Sequence, residues 1–143
     1  MGINRQLQQF QRAYQDDVLQ TKVLGASPVE LIVLLYEGAI EALEQAQKAI
    51  GDGNIPLKGK MVNKASDIIE GLRAALDFER GGDLSPRLNE LYVFANQQIS
   101  LGHITNDASV LQQVIDLLRE LLSGWQQLAR DESARRGQGI PHA

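Results

Sequence analysis

The chain has no cysteine in its 143 residues, so neither a disulfide nor a thiolate metal site can hold it together, and that usage fits a reducing compartment. No side dominates the charge either. Fourteen basic residues against 18 acidic ones leave a net charge of −4, and the interspersed signs give no basic face for nucleic acid. Lys58, Lys60 and Lys64 cluster, but at the start of a helical pattern, where they read as a solvated face. Long apolar runs are missing: the longest, Leu31 to Tyr36, is six residues, far short of the roughly 20 that span a bilayer, and Met1 to Gln8 has no apolar signal core. These absences predict a soluble cytoplasmic protein without membrane insertion. No segment alternates with period two, so no strand is expected.

What is present is helical periodicity. At 43% hydrophobic and 22% charged residues the composition is globular, and one domain of this length buries about 70% of its unfolded surface without staples. Ile3, Leu7, Phe10, Tyr14 and Val18 form a stripe on a glutamine-rich N-terminal segment, an amphipathic arm that with its linker occupies residues 1–26. Ser27-Pro28-Val29-Glu30 then carries a cap, a first-turn proline and a capping-box glutamate, so a helix starts there and runs to about residue 50. Gly51-Asp52-Gly53-Asn54 ends it. A second helix is expected over 55–79 and stopped by Gly81-Gly82; a third starts at Ser85-Pro86 and carries Leu88, Leu91, Tyr92, Ala95 and Ile99. The fourth spans 107–130, with Leu111, Leu118 and Trp125 as one heptad series and Val114, Leu121 and Leu128 as another. Residues 131–143 are too polar to bury and read as a flexible tail. Short connections make sequential helices antiparallel neighbours, so the fold class is all-α: an up-down-up-down four-helix bundle over 27–130 with an N-terminal arm.

Catalysis finds no footing. His103 sits in a connection and His142 near the end, without a partner at metal-ligand spacing, and no Glu-x-x-His pair occurs. The Gly53 to Lys60 stretch fails as a phosphate loop because Met61 stands where Ser or Thr should follow, and Pro56 breaks the calcium-loop pattern. No enzyme, cofactor or metal is expected. Asp77 and Glu79, just before Gly81-Gly82, read first as solvated acids, although negative charge at a helix C-terminus opposes the dipole and points to a further use. The aromatics are too dispersed to stack bases, and most should be core or groove walls.

The strongest signal is the apolar width of the first bundle helix. From Leu31 to Tyr36 it has no polar face for nearly two turns, whereas an ordinary bundle helix needs one stripe. Neighbours 100° apart cannot both face one core, so Leu35 is assigned to the core and Leu34 to a groove. The cover is another part of this chain, a second copy, or a partner helix, which leaves open a homo-oligomeric structural bundle with no client and a bundle that binds one.

Taken together, Ala26-Ser27-Pro28-x-Glu30-Leu31, Leu34-x-Tyr36-x-Gly38-Ala39-Ile40, Leu76-Asp77-x-Glu79-x-Gly81-Gly82, Leu88-x-x-Leu91-Tyr92 and the late Trp125 resemble the FliS family of flagellar secretion chaperones. The resemblance implies a cytoplasmic helical bundle that binds the C-terminal segment of flagellin, prevents premature polymerisation and assists delivery to the flagellar type III export apparatus. The free protein is expected as a monomer or weak dimer. It further implies a flagellin groove at Leu31, Leu34, Tyr36, Gly38, Asp77 and Glu79, and an export-gate contact at Phe10 and Tyr14. The arm's stripe then suggests an intramolecular stand-in that the client displaces.

Overall fold

A computed structural model describes residues 25–139, and these form four α-helices: α1 Pro28–Asp52, α2 Ile55–Ala74, α3 Leu84–Ile104 and α4 Ala108–Gly139. Each helix packs on the next and α4 closes the ring against α1, which is the expected antiparallel bundle. Phe10, Tyr14 and the rest of residues 1–24 lie outside the described residues.

Helix α1 begins where its signal lies. The Glu30 amide donates to Ser27 Oγ at 3.2 Å and the Ser27 amide donates back to Glu30 Oε1 at 3.3 Å, so the capping box satisfies two otherwise free donors. Gly53, at φ +68°, ends the helix in the left-handed conformation that glycine adopts without strain. Asn54 then caps α2 through its side-chain oxygen, which accepts the Leu57 amide at 3.2 Å. The core is built from one face of each helix: Leu35, Ala39 and Leu43 from α1, Met61, Ile68 and Leu72 from α2, Leu88 and Ile99 from α3, and Leu111, Ile115 and Leu118 from α4. Each buried aliphatic side chain of this kind stabilises the fold by about 1.5–3 kcal/mol.

The connection between α2 and α3 departs from expectation. The second helix stops at Ala74 and does not reach 79, because Asp77 competes for the backbone: its Oδ1 accepts the amides of Glu79 and Arg80, each at 3.0 Å. Ser85 is not the cap of α3. It is buried inside the first turn, where its hydroxyl donates to the Asp77 carbonyl at 2.8 Å, and Asp83 holds the cap position without a side-chain hydrogen bond. Gly81 makes this closure possible, since a β-carbon there would collide with Ser85 Oγ and lie 2.7 Å from the Asp77 carbonyl.

Four corrections concern α4 and the far turn. The helix continues past Arg130 to Gly139, without an apolar stripe but with i, i+3 and i, i+4 pairs: Arg130 to Gln127 at 2.8 Å and Gln127 to Asp131 at 2.9 Å. The second heptad series holds at Val114, which is buried, and at Leu121, which packs against the core, but fails at Leu128, which is exposed, while Ile115 and Leu122 join the core; a straight helix drifts off a seven-residue repeat. His103 belongs to the last turn of α3, and its Nδ1 is buried without a partner. Lys58, expected on a solvated face, reaches the His103 carbonyl at 3.2 Å and Asn106 Oδ1 at 2.9 Å, tying the α3–α4 turn to α2.

A half-covered cleft between the first and last helices

Antiparallel packing brings the start of α1, the end of α2, the start of α3 and the second half of α4 to one end of the bundle. The register of α1 on α4 is fixed by Glu44 to Arg119 at 2.7 Å, Gln47 to Gln112 at 3.0 Å, and Glu30 to Arg136 at 3.7 Å. Beside the first two turns of α1, along this seam, lies a cleft of about 620 Å³. Ala26, Val33 and Leu34 line it from the α1 side and Gln126, Ala129 and Arg130 from α4, with Glu30 at its edge. That volume falls within the roughly 300–1,000 Å³ typical of ligand pockets, and the walls are aliphatic with a polar rim.

The apolar width read from the sequence is realised here. Leu31, Ile32, Val33 and Leu34 are all only half buried, although they occupy four successive directions around α1, whereas Leu35 is 1% exposed and wholly internal. Glu30 carries charge at the rim: hydrogen bonds from Ser27 hold its carboxyl below the ordinary value, with a smaller contribution from Arg136. Below the cleft the Tyr36 and Tyr92 hydroxyls meet at 2.6 Å across the bundle, and the Trp125 ring lies 6.4 Å from that of Tyr36. Burial pushes both phenols above their ordinary range, so the pair is neutral at physiological pH.

The candidate residues separate accordingly. Leu34 lines the cleft and Leu31 stands half-exposed one turn away. Tyr36 and Gly38 are buried, so neither lines an open groove, and the tyrosine braces α1 against α3. Trp125, read as core, is half-buried at the core's edge. Asp77 and Glu79 sit on the loop at the same end of the bundle and outside the cleft lining; Arg80 approaches Asp77 at 3.9 Å. Gln126, Ala129 and Arg130 are the residues that sequence reasoning passed over. Their i, i+3, i+4 spacing marks one helix face, but a search for apolar stripes skips a face of Gln, Ala and Arg.

No catalytic constellation accompanies the cleft. Among the described residues no group of three or more His, Cys, Asp or Glu side chains could hold a metal ion, and no helix is long and apolar enough to cross a membrane. Among the described residues the fold and the cleft define a helical bundle with a partly covered apolar seam. The profile of the family described as Flagellar protein FliS matches residues 10–132, and the chain belongs to that family. It is 40% identical over 117 residues to the flagellar secretion chaperone FliS of Vibrio cholerae, covering 82% of this chain and 86% of that protein. Similarity to the flagellar secretion chaperone FliSB of Pseudomonas aeruginosa is 42% over 114 residues, covering 80% and 90%, and to FliS of Salmonella typhimurium 34% over 119 residues, covering 82% and 88%. This is a chaperone family and not an enzyme class.

Proposed function

We propose that this protein is a cytoplasmic export chaperone for flagellin: it binds the C-terminal segment of the subunit, keeps it from polymerising early, and assists its delivery to the flagellar type III export apparatus. The observation that carries the reading is the half-burial of Leu31 to Leu34 on every side of α1, beside a cleft whose other wall is α4. An unpolymerised flagellin terminus exposes apolar helical stripes, and a helix laid along this seam buries both surfaces. Ordering such a segment costs on the order of 2–5 kcal/mol, so the contact has to run beyond Leu34 along the aliphatic wall. The groove is then Leu31, Leu34, Val33 and Ala129, with Asp77 and Glu79 at the same end and Tyr36 and Gly38 supporting it from within. Phe10 and Tyr14 are proposed to contact the export gate.

Size-exclusion light scattering of the chain with a flagellin C-terminal peptide tests this. A one-to-one complex that Leu34→Asp abolishes while leaving the helical content intact supports the reading. A stable homo-oligomer that ignores the peptide would make the apolar width a subunit interface.

A further inference from the structure

The four seams of the bundle are not sealed alike. Polar ladders cover two of them: α1–α4 has Glu44 to Arg119 and Gln47 to Gln112, while α2–α3 has Arg73 to Asn89 at 2.8 Å and Ser66 to Asn96 at 3.2 Å. The α3–α4 seam is apolar on its outside. On α3, Arg87, Leu91, Phe94, Gln98 and Leu101 recur at alternating intervals of four and three, which is one helix face, and it is the flank opposite Asn89 and Asn96. On α4, Leu117, Leu121, Gly124 and Leu128 share the flank opposite Arg119 and Gln112. Phe94 is 48% exposed, Leu101 45%, Leu84 54% and Leu128 36%, and Leu91, Leu117 and Leu121 are half-buried between them. A side chain at Gly124 would meet nothing within 4 Å, so the trough is open there.

We propose that the α3–α4 face is a second docking surface, which takes an amphipathic helix with basic flanks from a partner protein other than the client. Phe94 to Leu84 runs along one face of a helix rising about 1.5 Å per residue, so several turns of a docked helix fit beside it. Charge decides among occupants. Exposed Glu90, Glu120 and Asp131 outnumber exposed Arg87 and Arg135 along the margins, so a second copy brought face to face would add acid to acid, whereas a lysine- or arginine-flanked helix meets a net opposite charge. The cleft at Leu34 and this face lie on opposite flanks of α4, and one straight helix cannot fill both. The inference does not rest on the identity of the client.

Two synthetic peptides with the same leucine stripe, one flanked by lysine and one by glutamate, are titrated calorimetrically into the full chain. The lysine peptide should bind one-to-one, at least about tenfold tighter than the glutamate peptide, and weaken as salt is raised. Phe94→Glu and Leu101→Glu should each weaken it about tenfold or more while leaving the thermal melt unchanged. Binding should persist when the protein is saturated with flagellin C-terminal peptide. Equal binding of both peptides, insensitivity to both substitutions, or competition with the flagellin peptide would overturn the proposal. So would a homodimer dissolved by Phe94→Glu, or binding seen only after residues 1–24 are deleted. A flagellin peptide that gives no heat sinks the client reading alone, and the Phe94 and Leu101 variants still decide this face.

Discussion

Leu34 and Leu35 are adjacent, chemically identical and placed in different environments, so truncating each separates packing from binding. Leu35 is 1% exposed and surrounded by the bundle core, so Leu35→Ala leaves a closed cavity and should destabilise the fold by about 2–5 kcal/mol. For a chain of this length one kcal/mol corresponds to roughly 3–5 °C in melting temperature, so a mid-range loss lowers Tm by about 10–15 °C. Leu34 lines an open cleft and is half-buried, so its truncation removes partial burial and creates no sealed void. Its stability cost should be roughly 1 kcal/mol, while its loss from the client surface should weaken flagellin-peptide binding about tenfold. Differential scanning calorimetry and peptide titration of both variants read the two effects independently. Equal destabilisation by both substitutions, with binding intact, would refute the division and make the width of α1 internal packing.

Other perturbations address the remaining parts. Gly81→Ala drives a methyl group into Ser85 Oγ and the Asp77 carbonyl, so urea titration should show a loss of about 1–3 kcal/mol, larger than for Gly124→Ala, which meets open space. Because hydrogen bonds from Ser27 hold the Glu30 carboxyl below its ordinary 4.5, its stabilisation of the α1 start is fully present above that value. That contribution is lost as pH falls through the lower folded value. The protection of the Leu31 amide, its exchange rate relative to that of an unfolded peptide at the same pH, should therefore fall on acidification, and Glu30→Gln should remove that pH dependence of the protection. If residues 1–24 compete for the cleft, deleting them should tighten client binding and leave the bundle folded. Tyr14→Ala should keep client affinity and reduce pull-down by the gate domain; unfolding or loss of client binding on deletion would contradict the competition.

Much of the bundle was legible because its signals are local. The Ser27-Pro28-Glu30 start needs only four residues to act, and Gly53 stops α1 through its own backbone freedom. Ser85-Pro86 looks like the same start signal and is not one, because a contact from Asp77, eight residues earlier, buries the serine hydroxyl. Ending α2 at Ala74 depends likewise on the Asp77 side chain outcompeting the helix, which periodicity does not encode. Side-chain direction explains the fate of the candidate groove. Tyr36 looked like part of a continuous apolar run, but its partner Tyr92, 56 positions away, draws it inward. The opposite wall at Gln126, Ala129 and Arg130 has no apolar signature, and only the register of α4 on α1 brings it to Leu34. The heptad reading of Leu128 erred because a straight helix keeps 3.6 residues per turn.

Trp125 is the chain's one tryptophan and lies beside Tyr36 under the cleft, so its fluorescence reports directly on the seam between α1 and α4. The most direct test of the central claim is a fluorescence titration of the full chain with a flagellin C-terminal peptide, with Leu34→Asp in parallel and mass followed by light scattering. A saturable change in Trp125 emission is expected at one peptide per chain, absent in Leu34→Asp, with the mass rising to that of a one-to-one complex. Unchanged emission and mass, or a change of the same affinity in Leu34→Asp, would contradict it.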